Sequence, residues 1–174
     1  MPRQRRRKLN RRINEPFKFD SATISPSSEV QRQTRDETAM AIINTFQKCL
    51  DSPYLIEDKD APARIGELLA KAGDRLEGSV NIQTTGQGDP ADVVFLSYEA
   101  MFCCLRALVY AKGYREYGLR CLLLACENLY VKTGQLEAEH VRKFELAQRL
   151  KLSPPDAVAA ASAFVKRTLE LLGQ

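Results

Sequence analysis

Along most of the chain beyond residue 36, apolar positions recur at spacings of three and four, which stacks them on one side of a helix. Asp36 stands where a cap belongs, before a helix over Glu37 to Leu50 whose stripe is Met40, Ile43, Phe46 and Leu50. Pro53, in DSPYLIEDKD, breaks the pattern. A second helix, Ala61 to about Val80, places Ile65, Leu68, Leu69, Ala72 and Leu76 together, and the glycines and threonines of NIQTTGQGDP end it. Asp89 followed by Pro90 pairs a capping side chain with a residue suited to the first helical position, which predicts a long helix to Lys112, stopped by Gly113. Its apolar positions Val94, Tyr98, Met101, Cys104 or Leu105, Leu108 and Val109 make a face too broad for one neighbour, so this helix belongs at the centre. Three more helices follow. They cover about Arg115 to Val131 (Leu119, Leu122, Leu123, Cys126 and Leu129 or Tyr130 inward), Glu137 to about Leu150, and Pro154 to Leu172. Ser153 caps the last, which turns Val158, Ala161, Val165, Leu169 and Leu172 inward.

Strand-like alternation and hairpin dipeptides are missing from this pattern, so the expected fold class is all-α, an up-and-down helical bundle over residues 36–174 with short loops. A chain of 174 residues suits one domain with one core. Residues 1–35 read differently: NEPFKFDSATISPSSEVQRQTR is polar, contains Pro16 and Pro26 and has no period, which predicts a disordered arm. Apolar residues at 44% and charged residues at 28% fit a soluble protein. No apolar run approaches the roughly 18 residues of a membrane span. The basic start is followed by polar sequence rather than the apolar part of a secretory signal, so a cytoplasmic location and no membrane contact are expected.

Charge changes the picture at the N-terminus. The formal net charge is +4, but residues 1–12, MPRQRRRKLNRR, hold seven of the 26 basic residues and no acid, leaving 19 against all 22 acidic residues in the rest of the chain. Basicity therefore belongs to the arm. Arg5, Arg6, Arg7, Lys8, Arg11 and Arg12 are the candidate nucleic-acid contacts, since such a block repels itself until it meets RNA or another polyanion. A solvated end would look the same.

Four of five cysteines fall in two apolar helical patterns, at 103, 104, 121 and 126. Their number is odd, no CxxC pair exists, and a reducing compartment disfavours a disulfide frame, so they are expected as core packing rather than as a metal or redox site. No GxxxxGK[ST], GxSxG or HExxH is present, and there is one histidine, which nearly excludes triad hydrolases and histidine-rich metal sites. No cofactor is implied.

From about Ala61 onward the chain resembles a HEPN domain, the small helical domain of prokaryotic toxin–antitoxin, defence and RNA-processing proteins. The phrases that carry this are YEAMFCCLRALVYAKG (Tyr98 to Gly113), LYVKTGQL (Leu129 to Leu136), FELAQRLKL, and a final AVAAASAFVKRTLELL. The resemblance implies a homodimer with RNA in an inter-subunit cleft. It also implies a metal-independent endoribonuclease chemistry in catalytic members, in which an arginine holds the scissile phosphate and a following histidine is acid or base. Arg149 occupies the arginine's place. LKLSPPD follows it, with neither histidine nor tyrosine, so the motif is degenerate; His140, the one histidine, lies nine residues before Arg149 and is expected as edge packing unless a second protomer supplies it.

Arg115, Arg120, Lys132, Arg142, Lys143, Arg149 and Lys151 fall in segments that flank the cleft in related domains, although Glu116, Glu127, Glu137, Glu139 and Glu145 between them would also make an ordinary mixed surface. Tyr114 and Tyr117 carry no modification site, because the family's modified tyrosine belongs to the missing late motif. Three functional readings follow. The chain is an RNA-associated dimer with a degenerate catalytic motif, a ribonuclease toxin using Arg149, or a scaffold for a nucleotidyltransferase or antitoxin partner.

Overall fold

A computed structural model describes residues 43–174. The basic arm, and residues 37–42 of the first expected helix, lie outside them. What is described of that helix is short: α1 spans Phe46–Leu50, because Thr45 is extended and its hydroxyl accepts the N–H of Lys48 at 3.2 Å, as an N-cap does. The helix therefore does not run through Thr45 as the periodicity suggested.

After α1 come strand β1 (Leu55–Glu57), a 3₁₀ turn (Ala61–Arg64) and helix α2 (Ile65–Thr85), which ends at left-handed Gly86, beyond the expected Val80. Helix α3 (Pro90–Ala111) starts as the sequence predicted, with the Asp89 carboxylate accepting the N–H of Ala91 at 2.8 Å. Gly113, at φ 77°, turns the chain into strand β2 (Tyr114–Glu116). Helix α4 (Leu119–Cys126) continues through one π turn over Glu127–Val131; α5 (Ala138–Gln148) and α6 (Pro154–Leu172) complete the chain, α6 capped by Ser153 as expected.

The protein is mostly helical, with one small ribbon that the pattern did not show. β1 and β2 pair antiparallel, Leu55 opposite Glu116, Ile56 opposite Arg115 and Glu57 opposite Tyr114. Two more backbone bonds, Asp58 N–H to the Gly113 carbonyl and Tyr117 N–H to the Tyr54 carbonyl, both 2.8 Å, extend the match. This is why α4 starts at Leu119 and not at Arg115. Three-residue strands far apart in sequence leave no local period to read.

Helix α3 is the centre. It touches α2, α4, α5, α6 and β2, and buries eleven residues from Val93 to Tyr110. By length and composition alone it could cross a membrane, which the inspection of apolar runs did not register; here most of its apolar surface is buried against the other helices. On α6 the buried stripe is Ala157, Ala160, Ala161, Phe164 and Thr168, rotated from the expected one, with Val158, Val165 and Leu169 half-buried at its margins. Small residues occupy the seam because the backbone of α6 lies close against α3, leaving the branched side chains to flank it. At the α2–α3 seam the buried Ser79 hydroxyl donates to the Val93 carbonyl (3.0 Å) and lies 2.7 Å from the Ser97 hydroxyl, so both hydroxyls are satisfied where no water reaches.

The cysteine reading needs one correction. Cys49 of α1 and Cys121 of α4 form a disulfide between buried side chains, with Cα atoms 5.5 Å apart. The pairing is long-range, and neither the odd count nor the spacing could reveal it. Cys103, Cys104 and Cys126 are free thiols; burial pushes Cys104 and Cys126 up to about 12, so both remain protonated, as packing groups do. No group of three or more metal-ligating side chains occurs among the described residues.

Alkylation of the unfolded, unreduced chain should label three cysteines of the five, and five after reduction, counted by mass spectrometry. For a bond spanning 72 residues, the chain-entropy account predicts that Cys49→Ala with Cys121→Ala lowers unfolding stability by about 4 kcal/mol, measured by urea denaturation.

Candidate functional site

The turn between α5 and α6 holds Arg149. Helix α5 ends in a Schellman arrangement: the N–H of Leu150 donates to the Ala147 carbonyl and that of Lys151 to the Leu146 carbonyl, both at 2.9 Å. Arg149 is the C-cap and Leu150 takes the left-handed position, at φ 52°, where glycine is the usual residue. A leucine there is strained, and its side chain remains 64% exposed, so no packing compensates. Arg149 and Lys151 are exposed, and neither forms an ion pair with a described residue. The turn thus presents two cations on a constrained backbone directly before the last helix.

His140 does not join them. Nine residues separate it from Arg149, about 13 Å along α5 and about half a turn around it. Its ring stacks on Phe164 with centroids 5.1 Å apart, and its Nε2 lies 3.5 Å from Glu137. Burial lowers its pKa; Glu137 opposes this, while Arg167 and Lys143 add to it. Arg167 in turn links α6 to the start of α5, donating to the Glu137 carboxylate (3.1 Å), the Gln135 carbonyl (2.7 Å) and Glu170 (3.2 Å). His140 is packing at a helix seam, as the sequence suggested.

The remaining cations disperse. Arg142 makes two 2.7 Å bonds to Glu139, with Lys143 at 4.0 Å from the same carboxylate. Arg120 donates to the Ile43 carbonyl (3.2 Å) and, with Arg142, Glu127 and Glu145, borders a groove of about 400 Å³ floored by Leu123, Leu124, Val131 and Val141. Lys132 borders a neighbouring groove beside α1. Acid and base alternate along this side, which is the mixed surface the intervening glutamates predicted. Tyr114 packs edge-on against Phe46, and Tyr117 is exposed with the Arg115 guanidinium 5.2 Å from its ring centroid. Arg5, Arg6, Arg7, Lys8, Arg11 and Arg12 lie outside the described residues.

A second charged site was not singled out from the sequence. Arg106, near the end of α3, approaches Glu116 of β2 to 2.6 Å and donates to the Tyr110 hydroxyl at 2.7 Å. At Nε the approach to Glu116 is close but off-axis, and the second carboxylate oxygen is buried without a partner among the described residues. Burial alone would lower the Arg106 pKa; Glu116 and Tyr110 outweigh it and raise it. Arg106 and Tyr110 also line a half-open cavity of about 260 Å³, together with Arg64, Glu67, Leu68, Lys71 and Arg115. The only advance signal was Arg106 within the otherwise apolar run from Ala100 to Ala111.

Replacing Leu150 with glycine should raise unfolding stability by about 1 kcal/mol in urea titration, because the left-handed position then costs nothing. For His140, the lowered folded-state value means that the stability it contributes is present above its unfolded pKa, near 6.5, and is lost as pH falls through the folded value. Melting temperature measured from pH 7 to 5 should therefore fall more steeply for the native chain than for His140→Gln. No protein-family model, no curated protein and no solved structure matches this chain.

Proposed function

We propose that this chain is a HEPN-like, RNA-associated protein that acts as a homodimer and has no nuclease chemistry of its own. The observation that carries the reading is the α5–α6 turn: Arg149 and Lys151 are exposed, without carboxylate partners among the described residues, and held on a strained backbone at the entrance to the last helix. Cations in that condition are available to phosphates, and Arg149 stands where the resembling domains place their phosphate-holding arginine. The order of helices is consistent with the same reading: α3 falls on YEAMFCCLRALVYAKG, and α6 on the closing AVAAASAFVKRTLELL.

Two features favour binding over cleavage. No group capable of acid–base work near neutral pH accompanies Arg149: the residues after it are Leu, Lys, Leu, Ser and two prolines, and His140 is stacked on Phe164 elsewhere on α5. Cleavage through the 2′-hydroxyl needs a proton acceptor and a proton donor as well as a phosphate clamp. The arm adds a sequence-independent electrostatic contribution, chiefly from the seven basic residues of its first twelve positions.

The test is single-stranded RNA offered to the full chain in EDTA. Binding should weaken with added salt, with a log–log slope of about 0.7 per phosphate contact; Arg149→Ala should reduce the slope by roughly one contact, and deletion of residues 1–35 by several. No cleavage above buffer is expected, and light scattering should give a dimer. Cleavage by the native chain that Arg149→Ala abolishes would put the ribonuclease reading first. Absence of any RNA affinity would leave the scaffold reading, with a nucleotidyltransferase or other protein as partner.

A further inference from the structure

We infer that the cavity bounded by α2, α3 and β2 is a binding site for a small phosphorylated ligand, separate from the Arg149 turn. Four cations converge on it from four elements: Arg64 from the end of the 3₁₀ turn, Lys71 from α2, Arg106 from the end of α3, and Arg115 from β2. One acid, Glu67, shares its wall. Two further carboxylates stand behind the cations rather than in the opening: Glu116 against Arg106, and Asp58 at 3.7 Å from Arg115. With all three acids counted, the site still holds one cation in excess.

The cations differ in how firmly they are held, and this gives the site its character. Arg106 is fixed: Glu116 lies 2.6 Å from its Nε, the Tyr110 hydroxyl accepts from Nη2, and the guanidinium lies 5.7 and 5.3 Å from the ring centroids of Phe102 and Tyr110. Such anchoring removes the entropy loss that a loose arginine would suffer on binding. Arg64 forms no ion pair with a described residue and is exposed at the rim. Lys71 pairs with Glu67 at 2.7 Å, but with both side chains more than half exposed, so an oxyanion can take the ammonium at small cost. One pre-set guanidinium, two adjustable exposed cations, and Arg115 held between Asp58 and the Tyr117 ring form a recognition set around a concavity for the doubly charged oxygens of a phosphate.

Size limits the ligand. The cavity, at about 260 Å³, is smaller than the roughly 300–1,000 Å³ of sites that take drug-sized molecules, so it suits a free phosphate or the phosphate and sugar of a mononucleotide. Its position also separates it from the RNA reading. The start of α6, just after the Arg149 turn, lies at the other end of α3, where Pro154 and Pro155 share a concavity with Pro90 and Val93. From Val93 to Arg106 the axis of α3 runs about 20 Å. The inference does not rest on the RNA proposal.

Inorganic phosphate and adenosine 5′-monophosphate, each titrated into the full chain against sodium chloride at matched ionic strength, provide the test, read by melting temperature and by calorimetry. Melting should rise above the chloride control with at least one of the two. Arg64→Gln and Lys71→Gln, both at exposed positions, should each weaken binding roughly tenfold, as loss of one charge-assisted hydrogen bond does, while Arg149→Ala leaves it unchanged. Tighter binding of the nucleotide would identify a phosphomonoester, and equal binding a free oxyanion. The inference is overturned if neither probe exceeds the chloride control, or if binding persists undiminished in the Arg64→Gln, Lys71→Gln double variant. It is also overturned if Arg149→Ala alone removes the binding.

Discussion

A helix that is apolar on nearly every side must be surrounded, and the rest of this fold answers that constraint. Helix α3 buries residues from Val93 to Tyr110 over most of its circumference, and truncating any one of its large buried side chains, such as Met101, Leu105 or Leu108, would cost about 2–5 kcal/mol. The neighbours are fitted to it. α2 and α6 approach through small residues, Ala72 and Ser79 on one side and Ala157, Ala160 and Ala161 on the other. α5 contributes Phe144, which stacks with Tyr98 and Phe102 of α3. α4 reaches it through the π turn, where the Tyr130 hydroxyl donates to the Leu108 carbonyl at 2.8 Å.

Polar groups enter this core only where a partner is built in. The Ser79 and Ser97 hydroxyls satisfy each other, and Thr168 donates to the Phe164 carbonyl one turn back. Arg106 and Glu116 are the expensive exception. A partly buried ion pair contributes little net stability, because desolvation offsets its attraction, and one carboxylate oxygen still lacks a partner among the described residues. Its clearer effect is orientation: Glu116 sits on β2, opposite Leu55 of β1, so the ribbon sets where the Arg106 guanidinium points. The small sheet and the cavity above it are thus one arrangement.

The two charged regions relate to the sequence in different ways. Arg149 was singled out only through the resemblance, whereas its separation from His140 was legible in the spacing, since nine residues on a helix put two side chains on opposite faces. The strain at Leu150 was not legible, because a left-handed leucine follows from how α5 must end to let α6 return along α3. The Arg64, Lys71, Arg106 and Arg115 constellation was equally hidden. Its members lie on four elements spread over some fifty positions, and only folding brings them to one opening.

What the sequence determined by itself was the set of helices and the primacy of α3. Periodicity, Asp89 with Pro90, Ser153 with Pro154, and the stop at Gly113 are local signals, and local hydrogen bonding suffices to obey them. Tertiary structure decided what depends on meeting distant residues: the Cys49–Cys121 bond, the β1–β2 pairing that delays α4 to Leu119, and the rotation of α6 onto its alanines. Each is a contact between segments whose own patterns permit several partners. The choice among them is made by the close packing of whole helices around α3, which no single stretch of sequence contains.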